Sequence, residues 1–278
     1  MKYLKPKKQL GQHFLNDASI AEKIVSSLQA ENIRQVIEVG PGTGALTPFL
    51  LHDQRFETRF IEIDADAVAF LERKYPEIRG KLLHIDFLRC SMDKICHEPV
   101  AVIGNFPYNI STQILFKILE NRNLVLEVVG MLQKEVAERI AAHPGSKTYG
   151  VTSVLLQAFY DIEYLFTVHE HVFTPPPKVK SGVIRLIRNH VDALPCHEPL
   201  FVRIVKTAFN QRRKMLRNSL KSILPECSSD FYLSEKRPEQ LNVQDFIDLT
   251  NYIEKKSSAC IFQKDFSLTL PTENCPVV

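Results

Sequence analysis

The sequence shows none of the patterns that mark a membrane span, a metal cage or a disulfide framework. No apolar run approaches the ~20 residues that a membrane-spanning helix needs. The lysine-rich start, Met1 to Lys8, lacks both the apolar stretch of a signal peptide and the arginines of a transit peptide. The six cysteines, at 90, 96, 196, 227, 260 and 275, include no Cys-x-x-Cys pair, so neither a zinc site nor a set of disulfides is indicated, and no metal is expected. A reduced, cytoplasmic setting without a membrane is the expectation. No internal repeat is evident. The last absence is local: residues 199 to 224 hold no acidic side chain, yet contain Arg203, Lys206, Arg212, Arg213, Lys214, Arg217 and Lys221. With a net charge of +3, the rest of the chain is therefore at −4. A basic surface on a slightly acidic body is the footprint of a polyanion partner, set against the plainer alternative of a solvated face.

What is present is a globular composition of 278 residues, 45% apolar and 24% charged, enough for one large domain and one small one. Apolar, β-branched runs predict strands at Gln35 to Val39, Thr58 to Ile63, Lys81 to Ile85, Val100 to Ile103, Leu126 to Leu132, Glu163 to Val168 and Gly182 to Ile187. Between them lie helical segments: one capped by Asn16 or Asp17, then Leu46 to Leu51, Ala65 to Lys74, Lys134 to Ala142 and a stretch reaching Phe159. Such alternation means a doubly wound, mostly parallel seven-stranded α/β sheet. Around Asn189 the pattern changes to helices alone, at Pro199 to Phe209, Arg212 to Leu224 and Val243 to Lys255. The expected organisation is a catalytic domain at 1–189, a helical domain at 190–256 and a disordered tail at 257–278. In the second of these helices Arg213, Arg217 and Lys221 recur every four residues on one face.

Three strand ends carry the chemistry. Gly40-x-Gly42-x-Gly44 follows a strand and precedes a helix, where the backbone can approach a ligand closely. Glu62 ends the next strand, placed to accept hydrogen bonds from both hydroxyls of a ribose. The pattern fits a nucleoside-type cofactor without naming it, since Gly40-x-Gly42-x-x-Ala45 also satisfies the dinucleotide fingerprint, and a tight structural turn is the bland alternative. Asp86 ends the third strand, as a cap or as an acceptor for an adenine amine. Gly104-Asn105-Phe106-Pro107-Tyr108-Asn109 follows the strand at Val100 to Ile103. Pro107 holds Phe106 extended, so the Phe106 carbonyl and the Asn105 side-chain oxygen present two acceptors suited to an exocyclic NH2 group. Tyr108 adds a flat face, and Phe173, stiffened by Pro175, Pro176 and Pro177, is expected opposite it as the second wall of a base sandwich.

Together these stretches resemble the rRNA adenine N6,N6-dimethyltransferase family, which includes the bacterial small-subunit kasugamycin-resistance methyltransferase. The likeness is carried by Gly11-Gln12-His13-Phe14-Leu15, Glu38-Val39-Gly40-Pro41-Gly42-Thr43-Gly44, Glu62-Ile63-Asp64 and Asn105-Phe106-Pro107-Tyr108-Asn109-Ile110-Ser111-Thr112. It continues in Gln133-Lys134-Glu135-Val136-Ala137, Phe173-Thr174-Pro175-Pro176-Pro177-Lys178-Val179 and Arg212-Arg213-Lys214-Met215-Leu216-Arg217-Asn218. The resemblance implies a Rossmann-like class I methyltransferase domain with a small all-helical C-terminal domain. It implies S-adenosyl-L-methionine as methyl donor, held by His13, Leu15, Gly40, Gly42, Glu62, Asp86 and Asn105. Asn105, Phe106, Pro107, Tyr108 and Phe173 are then the catalytic set. The implied acceptors are two adjacent adenosines near the 3′ end of small-subunit rRNA, in a precursor ribosomal subunit met by a monomeric protein. Lys7, Lys8, Arg212, Arg213, Lys214, Arg217 and Lys221 are the expected RNA contacts. Two positions depart from the family pattern: His13 stands where Asn is usual, and Phe106 where Leu is usual. Competing readings are a large-subunit rRNA methyltransferase of the macrolide-resistance type, a DNA methyltransferase, an NAD-dependent oxidoreductase and a non-catalytic ribosome assembly factor.

Overall fold

A computed structural model describes residues 4–224 and 231–267. In chain order it begins with β1 (Phe14–Leu15), α1 (Ala18–Ser26), β2 (Gln35–Val39), α2 (Thr47–His52), β3 (Glu57–Glu62), α3 (Ala65–Lys74) and β4 (Leu82–His84). There follow α4 (Met92–Ile95), β5 (Val100–Asn105), α5 (Ser111–Glu120), β6 (Val125–Gln133), α6 (Lys134–Ala141), α7 (Val151–Gln157), β7 (Tyr160–Val168), β8 (Phe173–Thr174) and β9 (Ser181–Arg188). The remaining helices are α8 (Glu198–Asn210), α9 (Leu216–Ser219) and α10 (Val243–Ser267). The chain forms two compact units, one from residues 1–142 and 159–192, the other from 143–158 and from 193 onward. Residues 143–158, with α7, thus group with the C-terminal helices, and the break follows Asp192 instead of Asn189.

In the first unit seven strands make one sheet, in the order β4-β3-β2-β5-β6-β9-β7. β4, β3, β2, β5 and β6 run parallel, while β9 is antiparallel to both β6 and β7. Helices cover both faces of such a sheet, which is why its central strands are apolar throughout: Val36, Ile37 and Val100 to Ile103 are fully buried. α1 begins where Asp17 accepts the N–H groups of Ser19 and Ile20, and it buries Ala21, Ile24 and Val25. α5, for which the sequence reading placed no element, buries Ile114, Leu115 and Ile118. A second, two-stranded sheet pairs Phe14 with Thr174 and Leu15 with Phe173.

The end of β5 is shaped by one ring. Gly104 and Gly130 are partners across β5 and β6, and the Phe106 side chain covers both. A Cβ on Gly104 would lie 2.8 Å from that ring and 2.6 Å from the Val39 carbonyl; on Gly130 it would lie 2.5 Å from the ring. The glycine pair is the slot that admits a phenylalanine here.

In the second unit α8 buries Phe201, Ile204, Val205 and Ala208, a stripe at helical spacing, and Pro199 sits in its first turn. The helix expected from Arg212 to Leu224 is not formed: only Leu216–Ser219 is helical. The reason lies in the backbone. The N–H groups of Leu216 and Arg217 donate to the carbonyls of Lys236 and Ser234, not up the chain, so a helix cannot propagate through them. α10 runs to Ser267, twelve residues past the expected end at Lys255, so the disordered tail expected from 257 begins as helix. Residues 268–278 lie outside the described residues.

Gly130→Ala is expected to destabilise the protein by about 1–3 kcal/mol through overpacking against Phe106. Adding Phe106→Leu should recover part of that loss in urea denaturation. Strictly additive effects would place the ring elsewhere.

Candidate active site

Because parallel strands all end on one side, the loops that follow them meet along a common rim. There they enclose a cavity of about 240 Å³, lined by residues 9–15, by the glycine loop, by Ile61 to Ile63, by Ile85 to Leu88 and by Asn105 to Ile110. His13, Leu15, Gly40, Gly42, Glu62, Asp86, Asn105, Phe106, Pro107 and Tyr108 all border it.

The glycine loop is left-handed at Gly40 and Gly42, with φ of 69° and 57°. A Cβ on Gly42 would come within 3.0 Å of the Phe14 ring, whereas one on Gly40 would meet nothing within 4 Å. Gly40 therefore leaves open space beside the cavity. The loop is held by Glu62, whose buried carboxylate accepts the N–H groups of Gly42, Ile63 and Asp64, each at 2.9 Å. Burial pushes the Glu62 carboxyl above its usual range, and these donors oppose the shift. Glu38 lies deeper, with no cation paired to it among the described residues. Burial raises its pKa to about 8 despite the 2.8 Å hydrogen bond donated by Thr47, and the charge of Glu62 adds to the rise.

Asp64 shows the opposite balance. Burial opposes ionisation, but the Lys7 ammonium at 2.6 Å and the Gln12 amide at 3.2 Å hold its carboxyl below the usual carboxylate range. Lys7 also pairs with Asp66 at 2.7 Å. Lys7, an expected RNA contact, pins the N-terminal segment to the start of α3. Lys8 remains exposed. Asp86 accepts the Leu88 N–H at 2.9 Å and lies 3.5 Å from Arg89, so it caps its own loop while bordering the cavity.

At the end of β5 the Asn105 Nδ2 donates to the His13 carbonyl at 2.9 Å. That fixes the carboxamide, and no donor among the described residues takes its Oδ1. Phe106 borders the cavity although it is fully buried, and its N–H donates to the Met131 carbonyl at 2.9 Å. The Tyr108 hydroxyl lies 2.6 Å from Ser181 Oγ, and the His13 ring lies against the Tyr108 ring with centroids 5.3 Å apart. His13 Nδ1 is 2.8 Å from the Pro175 carbonyl.

Phe173 does not stand opposite Tyr108. It is 2% exposed, belongs to the hydrophobic core with Leu15 and Val168, and does not border the cavity. Pairing with Leu15 in the small sheet turns it inward. Two residues that sequence reasoning missed are Ile63, half exposed at the cavity wall, and Ser181. Ile63 had a signal, a large apolar side chain directly after the acidic strand end.

In the second unit the basic stretch is thinner than its composition. Arg212 donates to the Ser146 carbonyl and lies 3.8 Å from Glu239, and Arg217 lies 3.4 Å from Glu235. Arg203, Lys206, Arg213, Lys214 and Lys221 are exposed, with no carboxylate partner among the described residues.

A mostly parallel seven-stranded sheet with one antiparallel strand, a glycine loop after its first strand and Asn-Phe-Pro-Tyr after its fourth define a class I methyltransferase. The profile of the Ribosomal RNA adenine dimethylase family matches residues 3–255, and the chain belongs to that family. It is 55% identical over 258 residues to a Cytophaga hutchinsonii protein named Ribosomal RNA small subunit methyltransferase A, covering 92% of this chain and 100% of the relative. A Bacteroides thetaiotaomicron protein of the same name is 52% identical over 258 residues, covering 92% and 96%. Among solved structures, a dimethyladenosine transferase from Plasmodium falciparum superposes with a TM-score of 0.73 at 25% identity, over 88% of this chain and 98% of that one. The 23S rRNA methyltransferase ErmE gives a TM-score of 0.65 at 22% identity, over 86% and 99%, a likeness of fold. No helix among the described residues is long and apolar enough to cross a membrane.

The Glu38 carboxyl predicts a pH effect. Its folded pKa of about 8 stands above the ordinary 4.5, so between these values the unfolded chain has released a proton that the folded one retains, and stability falls as pH rises. Glu38→Gln should melt several degrees above the parent at pH 8, with the gap closing below about pH 5. The variant's profile should be shallower but not flat, because Glu62 is raised in the same sense. Thermal melts across that range check it.

Proposed function

We propose that this protein transfers methyl groups from S-adenosyl-L-methionine to the N6 amines of two adjacent adenosines near the 3′ end of small-subunit (16S) rRNA, giving N6,N6-dimethyladenosine. The observation that carries the chemistry is the Asn105 carboxamide, which borders the cavity and is tethered by its nitrogen to His13, leaving its oxygen without a donor among the described residues. The substrate assignment is supported by relatives at 50–55% identity that bear the small-subunit name, while the 23S enzyme shares the fold at 22%.

The cavity suits the methyl donor on its own features. Gly40 leaves room for a ligand at the loop, and Glu62 Oε2 accepts a single backbone N–H, leaving a lone pair for a ribose hydroxyl. His13, Leu15, Gly42, Asp86 and the exposed Ile63 complete the wall. When bound, the donor supplies an electrophilic methyl group on a sulfonium. The protein's share is alignment and exclusion of water. Asn105 Oδ1 and the Phe106 carbonyl accept the N–H groups of adenine N6, drawing its lone pair out of conjugation. That interaction strengthens as the nitrogen becomes tetrahedral, so it favours the transition state over the ground state. Pro107 keeps Phe106 extended, and Tyr108 offers its face to the base. No strong base is needed, because the alkylated nitrogen is acidic enough to lose its proton to water.

The exposed cations Lys8, Arg213, Lys214 and Lys221 are the proposed phosphate contacts, and recognition is of RNA shape more than sequence. The protein acts as a monomer on precursor subunits in the cytoplasm, which couples the modification to subunit biogenesis.

The direct test is to incubate the protein and the labelled donor with unmethylated small subunits and analyse the nucleosides by mass spectrometry. Dimethyladenosine is expected; methylation of large-subunit RNA instead, or none, would refute the assignment. Asn105→Ala should lower kcat by about 10²–10³ while cofactor affinity stays within a few-fold. Equal losses in both would remove the carboxamide from the chemistry. Neutralising Arg213, Lys214 and Lys221 together should reduce the salt slope of RNA binding by roughly two to three.

A further inference from the structure

We propose that Ser181 is a positioning residue for Tyr108, locking the plane of the ring on which the target adenine stacks. The inference rests on the functional reading of Tyr108 given above. Tyr108 sits in the loop between β5 and α5, where nothing regular fixes its side chain. Its hydroxyl lies 2.6 Å from Ser181 Oγ, and Ser181 is fully buried.

Ser181 is a rigid point for reasons of topology. It is the first residue of β9, and because β9 runs antiparallel to its neighbours, that first residue arrives at the rim where the parallel strands end. Its backbone is paired on both sides, with Gln133 at the end of β6 and with Val168 at the end of β7. The next residue, Gly182, is clamped: a Cβ there would lie 2.7 Å from the Ala137 Cβ and 2.8 Å from the Tyr164 ring. A hydrogen bond from this point to a loop phenol transfers the rigidity of the sheet to the ring. The His13 ring, held on the Pro175 carbonyl, restrains it from another side.

The hydroxyl is not suited to proton transfer. Burial pushes the Tyr108 phenol above its usual pKa, so it remains protonated at neutral pH, and its one polar partner among the described residues is Ser181. That leaves tethering as its role, and it explains why tyrosine and not phenylalanine serves at a position whose aromatic face is what the base uses.

A double-mutant cycle tests this on the intact protein with unmethylated small subunits, measuring kcat together with S-adenosylmethionine affinity by calorimetry. Ser181→Ala and Tyr108→Phe should each lower kcat by about tenfold, with cofactor affinity within twofold of the parent, which also confirms that the rim is folded. The double variant should be no slower than the worse single one, because both remove the same contact. Losses that multiply to about a hundredfold, a Ser181→Ala enzyme as fast as the parent, or cofactor affinity falling in step with kcat would each overturn the inference. A parent protein that leaves adenosine unmethylated would overturn the functional reading and this inference together; an active parent with additive losses overturns this inference alone.

Discussion

The hydrogen bond from Asn105 Nδ2 to the His13 carbonyl is the contact on which the site depends. A carboxamide has one donor end and one acceptor end, so occupying the donor decides where the acceptor points. The bond also ties the N-terminal segment to the cavity wall, and that segment is fixed at both ends. Toward its start Lys7 and Gln12 hold Asp64, whose side chain is fully buried, so the pairing is less screened than an ordinary surface ion pair. Toward its end Phe14 and Leu15 pair with Thr174 and Phe173. Lys7, an expected RNA contact, and Phe173, an expected base contact, both hold this segment in place.

The two buried glutamates divide one problem between them. Bringing two carboxylates into a low-dielectric wall is costly unless donors or protons compensate. Glu62 has three backbone N–H groups, which is also how it shapes the glycine loop. Glu38 has one hydroxyl donor and no cation among the described residues, and its raised pKa of about 8 keeps it largely protonated at neutral pH. The cavity wall thus avoids facing two full negative charges at close range.

What the sequence made readable was local. β2 and α3 fall on the expected residues, Gln35 to Val39 and Ala65 to Lys74, because a β-branched run and helical periodicity are short-range signals. The sheet of seven strands and the rim shared by Glu62, Asp86 and Asn105 followed from the same patterns. Pairing between Leu15 and Phe173 spans most of the catalytic unit and rests on two residues per strand, so no periodicity announces it. The stretch from Arg212 to Leu224 had helical spacing, yet its backbone donors found the loop at Ser234 and Lys236 instead. Tertiary hydrogen bonds outcompeted a weak propensity. α5 is different: Ile114, Leu115 and Ile118 carried an ordinary helical stripe, overshadowed by the motif before it.

Composition and geometry also part company over charge. Seven cations without an acid between 199 and 224 point to a polyanion, but counting charges along a chain ignores acids brought near by folding. Glu235 and Glu239 come from outside that window and lie against Arg217 and Arg212. Such pairs, one exposed and one partly buried, reduce the positive field at the surface, and the exposed one contributes little to stability. The positive surface left without a carboxylate among the described residues is therefore narrower than the sequence count: of the seven cations, Arg203, Lys206, Arg213, Lys214 and Lys221 remain, and an RNA contact there would follow the proposal above.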